Sequence, residues 1–161
     1  PEGAARERAL VEQCERNGIV IQGPNCLGFV NYRSGIAAHA LLVPAPLVPG
    51  RVGLISQSGA MLLHLHRLAQ NRAIGLSYLV SSGNEAMLDA NDFIHHLLDD
   101  PETAVVGALL EGIRAPRRFL AVADRALRLG KPLVVLKVGG SPAGARSAVA
   151  HTGALAVEDR V

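Results

Sequence analysis

Residues 51–60 have the sequence RVGLISQSGA, and this stretch decides the fold. Residues 52–56 are apolar almost throughout, which is typical of a strand buried on both faces of a parallel sheet. The following Gln57-Ser58-Gly59 predicts a turn into a helix over residues 60–71. The stretch therefore predicts a β-strand joined directly to a crossover helix, the repeating unit of an α/β fold.

The same alternation continues toward the end of the chain. Three further apolar strands and two further helices are predicted, the strands over residues 76–81, 105–110 and 133–137 and the helices over residues 89–99 and 116–129. Pro101 ends the first of these helices and Gly130 ends the second. Strands that alternate with single helices indicate a doubly wound α/β fold, with a parallel sheet covered on both faces and right-handed crossovers.

The region upstream of this alternation has a different pattern. A helix is predicted over residues 4–17 and a short, buried parallel strand over residues 19–21, followed by a turn at Gly23-Pro24-Asn25. The segment around His39 has no regular pattern. Three prolines and a glycine then fall within seven residues, 44–50, which suits neither a helix nor a central strand. We interpret this stretch as a linker that divides the chain into residues 1–46 and 47–161.

Composition limits the classes of protein that fit. The 161 residues are 49% hydrophobic and 19% charged, which suffices for one core or for one domain and part of another. A net charge of +2 without a basic block, and 3% aromatic residues without Trp, argue against a nucleic-acid binder. No apolar run approaches the roughly 20 residues that span a bilayer, so no membrane association is expected. Two cysteines fit a reducing cytosol, and a cytoplasmic location is expected.

Polar and glycine-rich segments follow the predicted strands. Ligands of a doubly wound sheet bind where the carboxyl ends of the strands meet the following helices. The segments at those ends are residues 22–28, 56–59, 81–85, 111–112 and 139–153. Ser56-Gln57-Ser58-Gly59 begins a helix directly after a strand, so its N–H groups, its hydroxyls and the helix dipole favour an anion such as phosphate. The alternative is a serine that only caps the helix.

Two side chains at this edge could take part directly in a reaction. His151 lies in a glycine-rich loop, where a largely neutral imidazole can act as a nucleophile or a general base. Glu111 follows a predicted strand, and its carboxylate could hold one ring nitrogen and leave the other free to attack. The alternatives are a structural or exposed histidine and an exposed glutamate at a strand end. Two other pairs have helical spacings that do not suit a shared metal ion, so no metal site is expected: His64 with His66 and His95 with His96.

Five short motifs occur in order along the chain: Gly23-Pro24-Asn25-Cys26-Leu27-Gly28, Ser56-Gln57-Ser58-Gly59-Ala60, Ser82-Gly83-Asn84-Glu85, Leu110-Glu111-Gly112-Ile113 and His151-Thr152-Gly153-Ala154-Leu155. In this order and approximate spacing they resemble the α part of the ADP-forming acyl-CoA synthetases, relatives of succinyl-CoA synthetase. The resemblance covers essentially the whole chain. Five motifs in matching strand and helix context are far more specific than any one of them.

The resemblance implies both a fold and a reaction. Residues 1 to about 30 would be the last helix and strand of a Rossmann-like CoA-binding domain, and residues from about 50 a flavodoxin-like domain cut before its final strand. In the family, phosphate attacks acyl-CoA to give an acyl phosphate, a histidine takes the phosphoryl group, and an ATP-grasp domain or subunit transfers it to ADP. The implied partners are CoA, a carboxylic acid or acyl phosphate, and ATP or ADP, with Mg²⁺ on the ATP-grasp part. An oligomeric complete enzyme and no tightly bound cofactor are also implied.

The resemblance further assigns roles to individual residues. His151 matches the phosphorylated histidine, and Glu111 matches the carboxylate that orients it. The other matches are Ser56, Gln57, Ser58 and Gly59 for phosphate, Asn25 and Cys26 for the thiol end of CoA, and Ser82, Gly83, Asn84 and Glu85 for a loop lining the same site. The chain departs from the family pattern at three positions: Gly140, where a basic residue is common, Ala150, where Ser is frequent, and Val157, where Gly is common. Because position 140 is not basic, a positive charge that could hold the loop or its phosphate is missing there.

Two other interpretations stay open. One is a noncatalytic CoA-binding regulatory domain, as in acetyltransferase fusions that have lost the histidine; the presence of His151 together with Glu111 favours the enzyme. The other is an FMN or nucleotide binder, for which stacking aromatics near the strand ends are lacking. The chain starts at Pro1 without an initiator Met and ends at Val161 without a cap or turn signal. We therefore interpret it as a piece of a longer polypeptide. The resemblance implies that this piece is inactive as a ligase by itself, because most of the CoA-binding domain and the whole nucleotide-binding part would be missing.

Overall fold

The computed structural model describes residues 2–41 and 48–139. Its elements in chain order are α1 (Glu2–Arg16), β1 (Gly28–Asn31), β2 (Ile36–His39), β3 (Pro49–Ser56), α2 (Gly59–Asn71), β4 (Leu76–Ser81), α3 (Ala90–Asp99), β5 (Val105–Leu110), α4 (Pro116–Arg128) and β6 (Leu133–Lys137). The helices and strands predicted from residue 52 to residue 137 are confirmed. The predictions that concern His151, the rest of its loop and residues 42–47 lie outside the described residues.

The strands of the described residues form one sheet in the order β2-β1-β4-β3-β5-β6. The four strands from β4 to β6 in this order are parallel neighbours, as the doubly wound prediction requires. The other two are antiparallel additions: β1 pairs with β4, and β2 pairs with β1. The result is a mostly parallel α/β sheet whose four parallel strands end at the same edge.

Helices cover both faces of this sheet. Successive strand residues point to opposite faces, so Leu54 packs toward α2 while Ile55 packs toward α3 and α4. Leu62 of α2 is fully buried in the first of these clusters, and Leu97 of α3 and Val122 of α4 are buried in the second. Burial on both sides explains why the strands are apolar almost throughout, and it fixes their carboxyl ends together at one edge.

One predicted strand is absent. Residues 19–21 are not a strand, and Ile19 and Val20 are 54% and 63% exposed. A run of β-branched residues becomes a strand only where neighbouring strands pair with it and bury one of its faces. No strand of the described residues pairs with this run. The prediction of a buried parallel strand is therefore wrong for the described chain.

The segment around His39, which has no regular sequence pattern, contains regular structure. Strands β1 and β2 extend the sheet beyond β4, with Gly28 opposite Ser81. The pairing gives β4 a partner on a side that would otherwise be an open edge. Because Gly28 and Ser81 are opposite, the turn that precedes β1 lies at the carboxyl end of β4. The division of the chain at residues 46 and 47 stays a prediction.

Candidate functional site

The turn between β3 and α2 is closed by its own serines. Ser56 is fully buried; its hydroxyl donates to the Ser58 carbonyl oxygen (2.8 Å) and accepts from the Ser58 N–H (3.1 Å). Ser58 is the N-cap of α2, and its hydroxyl accepts from the Met61 N–H (3.4 Å). The Ser56 hydroxyl is thus used inside the turn, whereas the Ser58 hydroxyl only accepts there and keeps its own hydrogen. The turn therefore offers an anion the Ser58 O–H and the N–H groups of Gly59 and Ala60, which have no intrahelical acceptor.

The turn at residues 23–27 lies against the loop that follows β4. The Asn84 N–H donates to the Pro24 carbonyl oxygen (2.9 Å), and the Asn25 Nδ2 group donates to Asn84 Oδ1 (3.2 Å). The Asn84 Nδ2 group donates in turn to Glu7 Oε2 (2.8 Å), which ties α1 to the same place. The structure therefore brings Asn25 and Asn84, two of the residues predicted for CoA or the acyl group, into direct contact.

A cavity of about 380 Å³ joins the two turns predicted to bind CoA and phosphate. The residues that line it are Asn25, Cys26, Leu27, Gln57, Ser58, Gly59 and Ala60. Gly59 allows the two turns to approach closely, because a Cβ atom at that position would lie 2.8 Å from Leu27 Cγ. The Asn25-Cys26 turn and the N-terminus of α2 therefore face the same space, where a thiol-linked group and an anion could meet.

The loop of Ser82, Gly83 and Asn84 packs against the two turns that line this cavity. Ser82 is fully buried, and its N–H donates to the Ser56 carbonyl oxygen (2.9 Å). A Cβ atom on Gly83 would lie 2.5 Å from the Pro24 carbonyl oxygen. These residues are not among those that line the cavity. A direct contact between them and a ligand stays a prediction.

The Gln57 side chain connects the end of β5 to the turn after β3. Its Oε1 atom accepts from the N–H groups of Glu111 (2.6 Å) and Gly112 (3.0 Å), and its Nε2 group donates to the Gly112 carbonyl oxygen (2.9 Å). Glu111 is half-buried at this edge. The backbone of Glu111 is thereby fixed beside the N-terminus of α2, whereas its pairing with His151 lies outside the described residues.

Glu85, the last residue of the loop that the resemblance places at the site, is a buried carboxylate at the same edge. Only 3% of it is exposed, and the Ser82 hydroxyl donates to its Oε1 atom (2.7 Å). Burial raises the pKa of Glu85 above the usual carboxyl value, although hydrogen bonding from Ser82 and Gln57 opposes the rise. The sequence feature that points to Glu85 is the position of a carboxylate directly after the Ser82-Gly83-Asn84 turn at a strand end.

Two of the described histidines interact with a residue one turn away on their own helix. His64 Nδ1 lies 2.8 Å from the Ala60 carbonyl oxygen, and His95 Nδ1 lies 3.2 Å from Asp99 Oδ2. Within residues 2–41 and 48–139, no three His, Cys, Asp or Glu side chains are arranged to hold a metal ion. In the same ranges, no helix combines the length and apolar character needed to cross a membrane.

Comparison with known proteins identifies the family. The family model described as the succinyl-CoA ligase like flavodoxin domain matches residues 49–161. The chain belongs to this family. Among curated relatives of this succinyl-CoA ligase-like chain, Acetate--CoA ligase [ADP-forming] I of Archaeoglobus fulgidus is 43% identical over 155 residues. This match covers 96% of the chain and 22% of the relative. The Acetate--CoA ligase [ADP-forming] I subunit alpha of Pyrococcus furiosus is 39% identical over 160 residues, 99% of the chain and 34% of that subunit.

Solved structures agree with the curated relatives. The dinucleotide forming acetyl-coenzyme A synthetase 1 of Ca. Korarchaeum cryptofilum, in complex with phosphate and ADP, matches the chain with a TM-score of 0.81 at 37% identity. The match covers 94% of the succinyl-CoA ligase-like chain and 32% of the synthetase. The predicted resemblance is thus confirmed, and the chain spans between about a fifth and a third of the length of these relatives.

In this succinyl-CoA ligase-like chain, the contact between the turn at residues 23–27 and the loop after β4 can be tested at Gly83. Gly83 and Gly35 both have positive φ, 62° and 67°, so an alanine at either position costs about 1–2 kcal/mol in backbone strain. Only at Gly83 would the new Cβ atom also meet backbone, whereas at Gly35 it has open space. We expect Gly83→Ala to lower the unfolding free energy of the full-length protein by about 1–3 kcal/mol more than Gly35→Ala does. Denaturant unfolding measures both, and equal losses would contradict the close approach.

Proposed function

We propose that this chain is part of the α component of an ADP-forming acyl-CoA synthetase, an acid–thiol ligase. The complete enzyme would interconvert a carboxylic acid, CoA and ATP with acyl-CoA, ADP and phosphate. The observation that carries the proposal is the cavity in which the Asn25-Cys26 turn faces the N-terminus of α2. Such a space can hold a thioester next to the anion that attacks it.

The first step takes place in this cavity. A phosphate oxygen attacks the thioester carbonyl carbon, the carbon–sulfur bond breaks, and CoA leaves as its thiol once the sulfur is protonated. The product is an acyl phosphate. The N–H groups of Gly59 and Ala60, together with the positive end of the α2 dipole, would stabilise the phosphate charge. Asn25 and Cys26 would lie beside the thiol end of CoA.

The second step transfers the phosphoryl group to the chain itself. A ring nitrogen of His151 attacks the phosphorus atom, the bond from phosphorus to the acyl oxygen breaks, and the carboxylate leaves. Glu111 would accept a hydrogen bond from the other ring N–H and stabilise the positive charge that the imidazole gains. Positioning and charge neutralisation dominate such transfers, which suits a carboxylate whose backbone is fixed by Gln57.

The remaining steps need parts outside this chain. An ATP-grasp domain or subunit would take the phosphoryl group from His151 and pass it to ADP, and Mg²⁺ would bind there and neutralise the nucleotide phosphates. CoA and ATP or ADP would act as substrates, with no tightly bound cofactor. We propose a cytoplasmic, oligomeric complete enzyme, with a carboxylic acid as substrate. The chain by itself would be inactive as a ligase.

Labelling of the full-length protein tests the proposal. Incubation with Mg²⁺ and ATP labelled in the γ-phosphate is expected to give an acid-labile, base-stable phosphoprotein, as a phosphohistidine requires. Addition of ADP should discharge the label, because every step is reversible. ATP labelled in the α-phosphate serves as the matched control and should leave the protein unlabelled. A protein that binds CoA but takes no label would instead be a noncatalytic CoA-binding regulatory domain.

A further inference from the structure

A network of three polar side chains connects α1 to the cavity. The carboxylate of Glu7, half-buried on α1, accepts a hydrogen bond from the Asn84 Nδ2 group (2.8 Å). The Asn84 Oδ1 atom accepts in turn from the Asn25 Nδ2 group (3.2 Å). Asn25 lines the cavity, whereas Glu7 and Asn84 do not. A carboxylate outside the cavity is therefore linked by two hydrogen bonds to a side chain that lines it.

The carboxylate gives this network its direction. An ionised carboxylate only accepts, whereas an amide accepts through its oxygen and donates through its NH₂ group. Asn84 therefore turns its NH₂ group toward Glu7 and its oxygen toward Asn25, and Asn25 turns its NH₂ group toward Asn84. Within the described part of the chain, no other hydrogen bond holds either side-chain amide. Glu7 thus decides the direction of both amides.

The direction decides which atom Asn25 offers to a ligand. With its NH₂ group on Asn84, Asn25 keeps Oδ1 free of hydrogen bonds to the described residues, so it offers an acceptor at the cavity. In the reversed network, Oδ1 would accept from Asn84, and the NH₂ group would be offered instead. The backbone need not move for this reversal, because the Asn84 N–H donates separately to the Pro24 carbonyl oxygen (2.9 Å).

The thiol end of CoA has a donor that fits such an acceptor. In both CoA and acyl-CoA, an amide N–H lies two carbon atoms from the sulfur, whereas the thiol hydrogen is a weak donor and is absent from the thioester. We propose that Glu7 is a positioning residue that acts through Asn84 and makes Asn25 accept a hydrogen bond from this amide N–H of CoA. The inference rests on the proposed function, in which Asn25 lies beside the thiol end of CoA.

The test reverses the network and then restores it in the full-length protein. Lysine only donates, so Glu7→Lys should turn the Asn84 oxygen toward position 7 and reverse both amides. Calorimetric titration is expected to show at least about tenfold weaker binding of CoA, because a donor then faces a donor. Adding Asn84→Asp should bring the affinity back to within about twofold of the wild type, since the new carboxylate accepts from both the lysine and Asn25. Glu7→Gln permits both directions and should lower the affinity only about twofold.

Two controls separate this effect from charge and from the phosphoryl steps. Glu12→Lys makes the same charge change at an exposed position of α1 and should not weaken CoA binding. Labelling from ATP should stay at the wild-type level in Glu7→Lys, because that half of the proposed reaction needs no CoA. Desulfo-CoA lacks the sulfur but keeps the amide, so Glu7→Lys should weaken its binding as much as that of CoA.

The outcomes distinguish this inference from the proposed function. Equal weakening by Glu7→Lys with and without Asn84→Asp would overturn the inference, because moving the carboxylate does not repair a merely structural role of Glu7. Weakened binding of CoA but not of desulfo-CoA would overturn the assignment to the amide N–H. A wild type that binds CoA, with the same affinity in Glu7→Lys, would overturn this inference alone. A wild type that binds no CoA would overturn the proposed function itself.

Discussion

Replacement of His151 by Asn in the full-length enzyme is expected to abolish phosphoenzyme formation and net turnover while CoA binding stays almost intact. Asparagine is polar and of similar reach, but its amide nitrogen has no nucleophilic lone pair. We expect a loss of turnover of at least about 10³-fold, as when the nucleophile of a covalent mechanism is removed. Phosphate labelling and calorimetric titration with CoA measure the two properties separately.

The start of the histidine loop supports this expectation. The Val138 N–H donates to the Leu110 carbonyl oxygen (2.9 Å), so the chain leaves β6 beside the residue that precedes Glu111. Gly139 then has a φ of 80°, a conformation that favours glycine. The chain that leads to His151 therefore leaves β6 next to the strand end that carries Glu111.

A matched histidine provides the control. His95 is exposed on α3 and pairs with Asp99, away from the cavity. His95→Asn should therefore leave labelling and turnover at the wild-type level. If His151→Asn still interconverts acyl-CoA and ATP at a rate near wild type, the phosphohistidine mechanism is wrong. A noncatalytic binding or regulatory function would then explain the chain better.

The fold from residue 52 onward could be predicted because its strands have a strong sequence pattern of their own. The strands β4, β5 and β6 are apolar runs bounded by turn residues, and their observed bounds agree with the prediction. The run at residues 19–21 has the same local character but no neighbouring strand in the described chain. Strands β1 and β2 have four residues each and no alternating pattern, so only the pairing of β1 with β4 and of β2 with β1 defines them. Local sequence predicts a strand reliably only when its surroundings supply the partner.

The site was less predictable than the fold because it depends on side-chain directions. The sequence placed Ser56 and Gln57 at the ligand edge, but it could not show that the Ser56 hydroxyl turns back into its own turn. The contact from Gln57 to Glu111 joins residues 54 positions apart. Glu85 lies within one of the five motifs, yet its burial and the hydrogen bond that it accepts from Ser82 depend on packing. These features result from packing, and the spacing of residues in the sequence does not reveal them.

Replacement of Glu111 by Gln is expected to lower the yield of phosphoenzyme about ten- to a hundredfold without loss of the fold. The Gln57 side chain holds residue 111 through its backbone N–H, and this contact does not depend on the side chain at that position. The variant therefore removes the charge but keeps the size and the backbone position. Loss of a charge-assisted hydrogen bond costs about 1.5–3 kcal/mol, which corresponds to that range.

A carboxylate of the opposite edge separates this effect from a general effect of charge. Glu102 precedes β5 and pairs with Arg33 at 2.7 Å on the surface, where such a pair contributes little. Glu102→Gln should thus leave the phosphoenzyme yield unchanged, whereas Glu111→Gln lowers it at the same protein stability. Equal labelling in Glu111→Gln and the wild type would mean that Glu111 is a strand-end carboxylate with no part in holding the imidazole. A lowered yield that accompanies a lowered unfolding midpoint would instead point to a structural role, because the backbone contact to Gln57 should survive the substitution.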